Sequence, residues 1–494
     1  MAKKIAIIGA GPGGLTAGMI LARHGYDVEI FEKEGLVGGR NAPIKQDGYT
    51  FDTGPTFLMM NFVLEEVFGL AGRDVSQYIE QIKLDPMYRL AFSDMEISPS
   101  SDPDKMMQEL ARVFPGSEAG YQKFLKTEKV RFDAMYPCLK ADYSSLSSIF
   151  SPNLLKALPH LSLGKSIFEN LGEYFTPEKL KLSFTFQSKY LGMSAWECPA
   201  AFSIIPFIEH AYGIFHVTGG LNMISHAMNK VFCEHGGTLR LNTPVKQILV
   251  EDKTAKGVVL ADGEKVYADE VIINADFGYS MAHLTGSGDT KYSREKLDSM
   301  EYSCSTFMLY LGLDHLYDIP HHNVFFAEQY RQNIDNIFHN GRLSDDFSFY
   351  VQNASITDPT LAPEGHSTIY VLVPVSNLSF PIAWEQEKER YADKVLDALE
   401  SRVGLAGLRS HIKTSKITTP EDWQNSYHVY KGATFNLAHT LGQMLYFRPH
   451  NEFECFRNCY LVGGGTHPGS GLPTIYESGR ISAEMILAKH ARGM

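Results

Sequence analysis

The chain has 494 residues, with 45 Lys+Arg against 57 Asp+Glu for a net charge of −12, and it is 44% hydrophobic and 21% charged. At roughly 150 residues per domain the length suggests about three domains. The acidic balance with no basic block argues against a nucleic-acid partner, and the ordinary apolar share argues against a disordered or fibrous chain.

Six scattered cysteines (Cys138, Cys198, Cys233, Cys304, Cys455, Cys459) lack the density of a disulfide scaffold and fit a reducing cytoplasm. Cys455 and Cys459 lie close together, but no neighbouring Cys/His pair completes a metal site, so no metal is expected. Lys3 and Lys4 before an apolar stretch superficially resemble a secretory leader. Gly9, Gly11, Gly13 and Gly14 interrupt that stretch, however, and a strand–turn–helix reading accounts for them better.

Ile5-Ala6-Ile7-Ile8 is a short apolar run of the kind buried on both faces of a parallel sheet. Gly9-Ala10-Gly11-Pro12-Gly13-Gly14 matches G-x-G-x-x-G, Leu15 to His24 reads as a helix, and Gly25 closes it. Val28 to Phe31 is a second strand with Glu32 at its end. A lone G-x-G-x-x-G is weak, but here strand, turn, helix, second strand and acid fall in register for a dinucleotide. Gly9 makes the tight turn, Gly11 admits the pyrophosphate, Gly14 packs helix on strand, and Glu32 accepts from ribose hydroxyls. The acid favours a free 2′-hydroxyl, hence FAD or NAD.

Gly38-Gly39-Arg40 reads either as a loop with a surface Arg or as a second clamp on the cofactor's phosphate side. Gly48 to Thr56, including Asp52, Gly54 and Pro55, is a strand ending in a turn. These elements together resemble the flavin enzymes of the glutathione-reductase type, in the branch of amine oxidases and carotenoid desaturases, where E-x-x-x-x-x-G-G-R follows the fingerprint.

Between Leu146 and Phe175 apolar residues mix with Ser, Pro, Lys and His, as in a membrane-contact segment or in helices packed on the core. Val217 to Leu221 leads into a helix over Asn222 to Cys233, and Thr238 to Val250 reads as strands. A hairpin spans Gly257 to Tyr267, turning at Asp262-Gly263, and Val271 to Asp276 is a buried strand ending in polar residues. Thr306 to Leu311 and Ser367 to Val375 are strands, and Trp384 to Arg402 is a helix. No apolar run of about 18 residues occurs, so no transmembrane helix is expected. After the strand Cys459 to Val462, a glycine-rich run from Gly463 to Pro473 precedes a helix from Thr474 to His490. Bare backbone N–H groups at a helix start suit a flat, electron-rich ring; the alternative is a connection that merely turns the chain.

Phe51 to Thr56, Asn274-Ala275-Asp276, Thr357-Asp358-Pro359, Leu361 to Gly365, Ile369 to Pro374 and Gly465 to Pro473 resemble the bacterial and fungal phytoene desaturases. The resemblance runs the length of the chain, loosest over 76–180. It implies an α/β fold: a Rossmann-type FAD-binding domain of the glutathione-reductase type (1–75, 213–289, 431–494) with an inserted α+β substrate domain (76–212, 290–430). It implies FAD held by Gly9, Gly11, Pro12, Gly13, Gly14, Glu32, Lys33, Gly38, Gly39, Arg40, Gly54, Pro55, Val245, Asp276, Gly464, Gly465, Leu472 and Pro473. The activity implied is removal of hydrogens from phytoene or a related acyclic carotenoid, with the hydride passing to flavin N5.

A lipid-dissolved substrate implies a cytoplasmic enzyme peripherally attached to a membrane surface, with oxygen or a quinone as final acceptor. Asp52, His467 and Glu477 are the candidates for proton transfer, each with a structural alternative; Glu477 pairs readily with Arg480. Tyr476-Glu477 departs from the small residues usual in that family, and Gly463-Gly464-Gly465 replaces Gly-Ala-Gly. The rivals are a later-pathway carotenoid 3,4-desaturase, isomerase or end-group oxidase, an amine oxidase, and a non-catalytic lipid-binding escort protein of the same fold.

Overall fold

A computed structural model describes residues 2–286 and 291–492. Strands β1 (Lys4–Ile8) and β2 (Asp27–Phe31) are joined by helix α1 (Pro12–Arg23), and β3 (Thr238–Arg240), β4 (Glu270–Ile273) and β5 (Cys459–Leu461) complete a five-stranded sheet. Its order is β5-β4-β1-β2-β3, and every neighbouring pair is parallel. Such a sheet is covered on both faces, which explains why β4 and β5 are buried at every position. The C-terminal helix α2 (Leu472–Arg492) lies against α1, and a Cβ on Gly479 would sit 2.4 Å from the Gly13 carbonyl oxygen. Only glycine permits that approach.

The second large sheet has seven strands in the order 412–418, 305–313, 367–375, 349–353, 322–325, 89–91, 96–97. Its long central pair aligns Ser305 with Val375 and Leu313 with Ser367 in one antiparallel register. Side chains alternate across the pleat. Phe307, Leu309, Leu311, Val371 and Val373 pack with Trp384, Tyr391 and Val395 of the helix Trp384–Ala398. Thr306, Met308, Tyr370 and Leu372 face the other way, towards the first sheet. The helix expected over 384–402 is helical to Ala398 and continues as a single π turn, Leu399–Val403.

Residues 118–212 are largely helical, led by Glu118–Leu139. The segment expected either to contact membrane or to pack on the core is partly buried. It forms short helical turns in which Leu154 and Ala157 bury against Cys138 and Tyr143, while Phe150 remains 71% exposed. The expected boundary at 289/290 lies outside the described residues.

Candidate active site

One cavity of about 720 Å³ runs from the Gly9–Pro12 turn and Glu32 to the inner face of the seven-stranded sheet. Sixteen of the eighteen predicted cofactor residues line it: Gly9, Gly11, Pro12, Glu32, Lys33, Gly38, Gly39, Arg40, Gly54, Pro55, Val245, Asp276, Gly464, Gly465, Leu472 and Pro473. Gly13 and Gly14 do not, because they face inward. A Cβ on Gly13 would meet Val462 at 2.5 Å, and one on Gly14 would meet the Gly9 carbonyl oxygen at 2.4 Å.

The backbone donors at the start of α1 have no side-chain cap, since Gly11 is the capping residue and Pro12 opens the helix. They are free for an anion, as a pyrophosphate requires. Asn274 fixes this turn from below by donating its amide to the Gly9 carbonyl at 2.9 Å. Glu32 is 5% exposed; its Oε2 accepts from the Ala10 N–H at 2.8 Å and its Oε1 from the Glu34 N–H at 3.0 Å. Burial raises its pKa above the ordinary carboxylate value, against those backbone donors. Each oxygen keeps a lone pair for a ribose hydroxyl. Glu32→Ala should therefore weaken FAD retention by about 10- to 100-fold, the worth of a charged hydrogen bond. Equilibrium dialysis showing wild-type retention would remove the assigned contact.

Arg40 is not a surface residue. Its Nη1 donates to the Thr434 carbonyl at 2.8 Å, and with the Asn436 amide turned towards Asp276, Asn436 accepts from Arg40 Nη2 at 3.1 Å and donates to Asp276 Oδ2 at 2.7 Å. Burial lowers the Arg40 pKa and raises that of Asp276; the opposite charge of each partner works against both shifts. At the far end, Arg448 is 1% exposed and donates to the Gly464 carbonyl at 2.6 Å and the Thr466 carbonyl at 3.1 Å. It thus ties down the glycine-rich loop through carbonyl oxygens, and burial pushes its pKa down to about 9.

Asp52, His467 and Glu477, the candidates for proton transfer, do not line the cavity. Asp52 is turned under the floor, where its Oδ1 accepts from the Leu221 N–H at 2.8 Å. The His467 ring points away and stacks edge-on against Tyr143 at 4.8 Å between centroids. Glu477 pairs with Arg480 at 2.5 Å, which bears out its structural alternative. Tyr476 is fully buried off the cavity as well, so the Tyr476-Glu477 departure does not reshape the wall. Pro473 and Ile475 do contribute to it.

Several lining residues escaped the sequence reading. Lys189 lies in the wall, 4.9 Å over the Tyr330 ring, with burial pushing its pKa down to about 8. Tyr350, Tyr370, Phe57, Phe186 and Phe435 give the sheet end of the cavity an aromatic lining. They come from four distant stretches of chain, and no local spacing marks them.

The glycine turn, the acid, the clamped Arg40 and the uncapped helix start fit a flavin dinucleotide at one end of the cavity; the other end suits an apolar molecule. Residues 12–487 match the family described as flavin containing amine oxidoreductase. The chain is 55% identical over 489 residues to a 4,4'-diapophytoene desaturase (4,4'-diapolycopene-forming) of a Methylomonas species, covering 99% of this chain and 96% of that protein. It is 35% identical to a zeta-carotene-forming phytoene desaturase of Myxococcus xanthus, covering 100% of this chain and 95% of the other. The crystal structure of an oxidoreductase from Methanosarcina mazei superposes with a TM-score of 0.66 at 16% identity, covering 98% of this chain and 100% of that one, a likeness of fold. The chain thus belongs to the flavin containing amine oxidoreductases and, within them, to the carotenoid desaturases.

Proposed function

We propose that the substrate is 4,4'-diapophytoene or a closely related acyclic carotenoid, desaturated at successive C–C bonds next to its double bonds. The observation that carries this reading is the 55% identity along 99% of the chain to a protein named for that substrate. Its cofactor, FAD, supplies a two-electron acceptor when bound. Glu32, the Gly9–Pro12 turn, Arg40 and the Gly463–Pro473 loop would hold it, with Asn274 and Arg448 keeping those backbones in place. The aromatic sheet end would hold the polyene and exclude water, so that a cation left on the substrate is spread along its double bonds and meets no nucleophile.

The division into a cofactor part (1–75, 213–289, 431–494) and an inserted substrate part (76–212, 290–430) is supported by the two large sheets, which draw their strands from different stretches. Reoxidation by oxygen or a membrane quinone accords with the single G-x-G-x-x-G fingerprint in the sequence.

The test is purified protein with FAD and liposomes carrying either 4,4'-diapophytoene or phytoene. Coloured polyenes formed faster from the former are expected, and the product distribution counts the steps. No conversion of either, with flavin bound, overturns the reading and turns attention to end-group oxidation of a later carotenoid.

Contact with a membrane surface is supported by an apolar patch of Leu146, Phe150, Leu155, Leu158 and Leu163 with Phe447, all exposed and interspersed with Lys156, His160 and Lys165. Among the described residues no helix is long and apolar enough to cross a membrane. The double change Phe150→Asp with Phe447→Asp should weaken binding to anionic liposomes, read by co-sedimentation, by at least about 100-fold at unchanged melting temperature, since burying each Phe is worth roughly 1.5–3 kcal/mol. Undiminished co-sedimentation places the contact elsewhere.

A further inference from the structure

With the three sequence candidates off the cavity, the proton that must leave the substrate has no assigned acceptor. Tyr350 lies in the cavity wall on the strand Phe349–Asn353, paired across from Leu372, another lining residue. Its hydroxyl is 2.6 Å from Nδ1 of His322, on the neighbouring strand His322–Phe325. The same hydroxyl donates to Thr56 Oγ1, also at the cavity, at 2.9 Å, and rotation about its C–O bond turns its proton to His322 Nδ1 instead.

His322 is 1% exposed and does not itself line the cavity, and its Nε2 has no hydrogen-bond partner among the described residues. Behind it the rings continue inward: His321 is 4.3 Å from His322 between centroids, and His216 is 4.9 Å from His321. His216 in turn is 2.9 Å from Asp358. Such a buried polar file does nothing for an apolar substrate as packing, because hydrocarbon side chains of the same volume would line the wall at lower desolvation cost.

We propose that Tyr350 and His322 form the proton relay of the desaturation, Tyr350 as the catalytic group and His322 as the positioning residue that takes up its proton. The inference rests on the desaturase reading above. One substrate C–H bond breaks with its electron pair leaving as hydride to the two-electron acceptor. The adjacent C–H bond then breaks, its electrons close the new C=C bond, and its proton forms an O–H bond on Tyr350. In the same step the original Tyr350 O–H bond breaks and an N–H bond forms at His322 Nδ1. Tyr350 ends unchanged, and His322 goes from neutral to cationic. No free phenolate is needed.

Burial, reinforced by His216, pushes His322 down to about 3, so its resting form is the neutral imidazole, which accepts at Nδ1 in the tautomer protonated on Nε2. A poorly basic imidazole suffices because the donor is an allylic cation, far more acidic than an ordinary C–H bond. The same low basicity returns the proton through Tyr350 to solvent water once product leaves the cavity.

The test uses full-length enzyme and the variants Tyr350→Phe and His322→Gln, the second keeping an acceptor for the phenol that cannot take its proton. General-base removal typically costs about 10²–10⁴-fold in rate. Turnover is therefore expected to fall at least about 100-fold in both, with FAD retention and carotenoid binding unchanged. The isotope effect for substrate deuterated at the proton-losing carbon should rise in Tyr350→Phe. Wild-type turnover in Tyr350→Phe, or reduced turnover with an unaltered isotope effect, overturns the proposal.

A histidine-selective nitrogen-15 spectrum of cofactor-free protein gives an independent readout. Nδ1 of His322 should be unprotonated and should shift in Tyr350→Phe; a protonated Nδ1 reverses the hydrogen bond and removes the relay. This spectrum stands whatever carotenoid is turned over. A wild-type enzyme that forms no coloured product would instead count against the desaturase reading.

Discussion

Gly14→Ala is expected to give folded protein that no longer retains FAD. The added Cβ would lie 2.4 Å from the Gly9 carbonyl oxygen and 2.6 Å from the Asn274 amide nitrogen, distances that real Cβ atoms do not adopt. Neither neighbour can give way cheaply. The Gly9 N–H is held by the Phe31 carbonyl at 2.8 Å, and Asn274 is held by the Gly9 carbonyl itself. The strain therefore moves the turn that must carry the pyrophosphate. Overpacking of this kind costs about 1–3 kcal/mol or more, and 3 kcal/mol spent on the bound state is roughly a 100-fold loss of affinity. Gly69→Ala is the matched control. Gly69 is also helical, but nothing lies within 4 Å of its new Cβ, so that change should leave flavin binding intact. Yellow, FAD-loaded Gly14→Ala protein would mean that the turn has freedom this packing does not suggest.

The same glycine explains why the cofactor end was legible in sequence. A phosphate-binding turn is built from consecutive residues, and the demands on Gly9, Gly11 and Gly14 are local: a positive φ of 97° at Gly9, close backbone approach, close helix packing. Glu32 follows because the next strand in the chain is the next strand in the sheet. The strands over 305–313 and 367–375 were legible too, as long apolar runs of strand length.

The proton-handling residues were not. Residues 52, 467 and 477 sit within flavin-side motifs, yet one step along a strand, or two along a helix, turns a side chain to the opposite face. Asp52 precedes Thr53 and Gly54, which line the cavity, and itself points below; Glu477 follows Ile475, which lines it, and turns to Arg480. Tyr350, His322 and Thr56 meet only because two strands and a turn from separate regions converge. No spacing rule within one segment reports such a meeting.

The second large effect concerns Asp52, which is buried near the same histidines as Asp358 but with an opposite outcome. Asp358 accepts from His216 at 2.9 Å, from the Gly219 N–H at 2.7 Å, and from the Thr360 N–H and hydroxyl at 3.0 and 2.6 Å. Burial alone would raise its pKa; those donors outweigh it and hold the carboxyl down to about 2. Asp52 has the Leu221 N–H, with Gln352 beside it, and faces the like charge of Asp358. There burial wins and pushes its carboxyl from 3.8 up to about 6.

An acid whose folded-state value is raised binds protons more tightly folded than unfolded, so it costs stability as pH rises from about 4 to 6 and stays costly above. A shift of this size corresponds to about 3 kcal/mol at pH 7. Asp52→Asn keeps an oxygen for the Leu221 N–H and removes the charge. Denaturant melts of the two proteins should therefore diverge progressively from pH 4 to 6, the variant gaining up to about 3 kcal/mol, and run parallel above pH 7. A difference independent of pH would show that Asp52 ionises as an ordinary carboxylate, and its place under the floor of the cavity would then have to be polar enough to hold a charge next to Asp358.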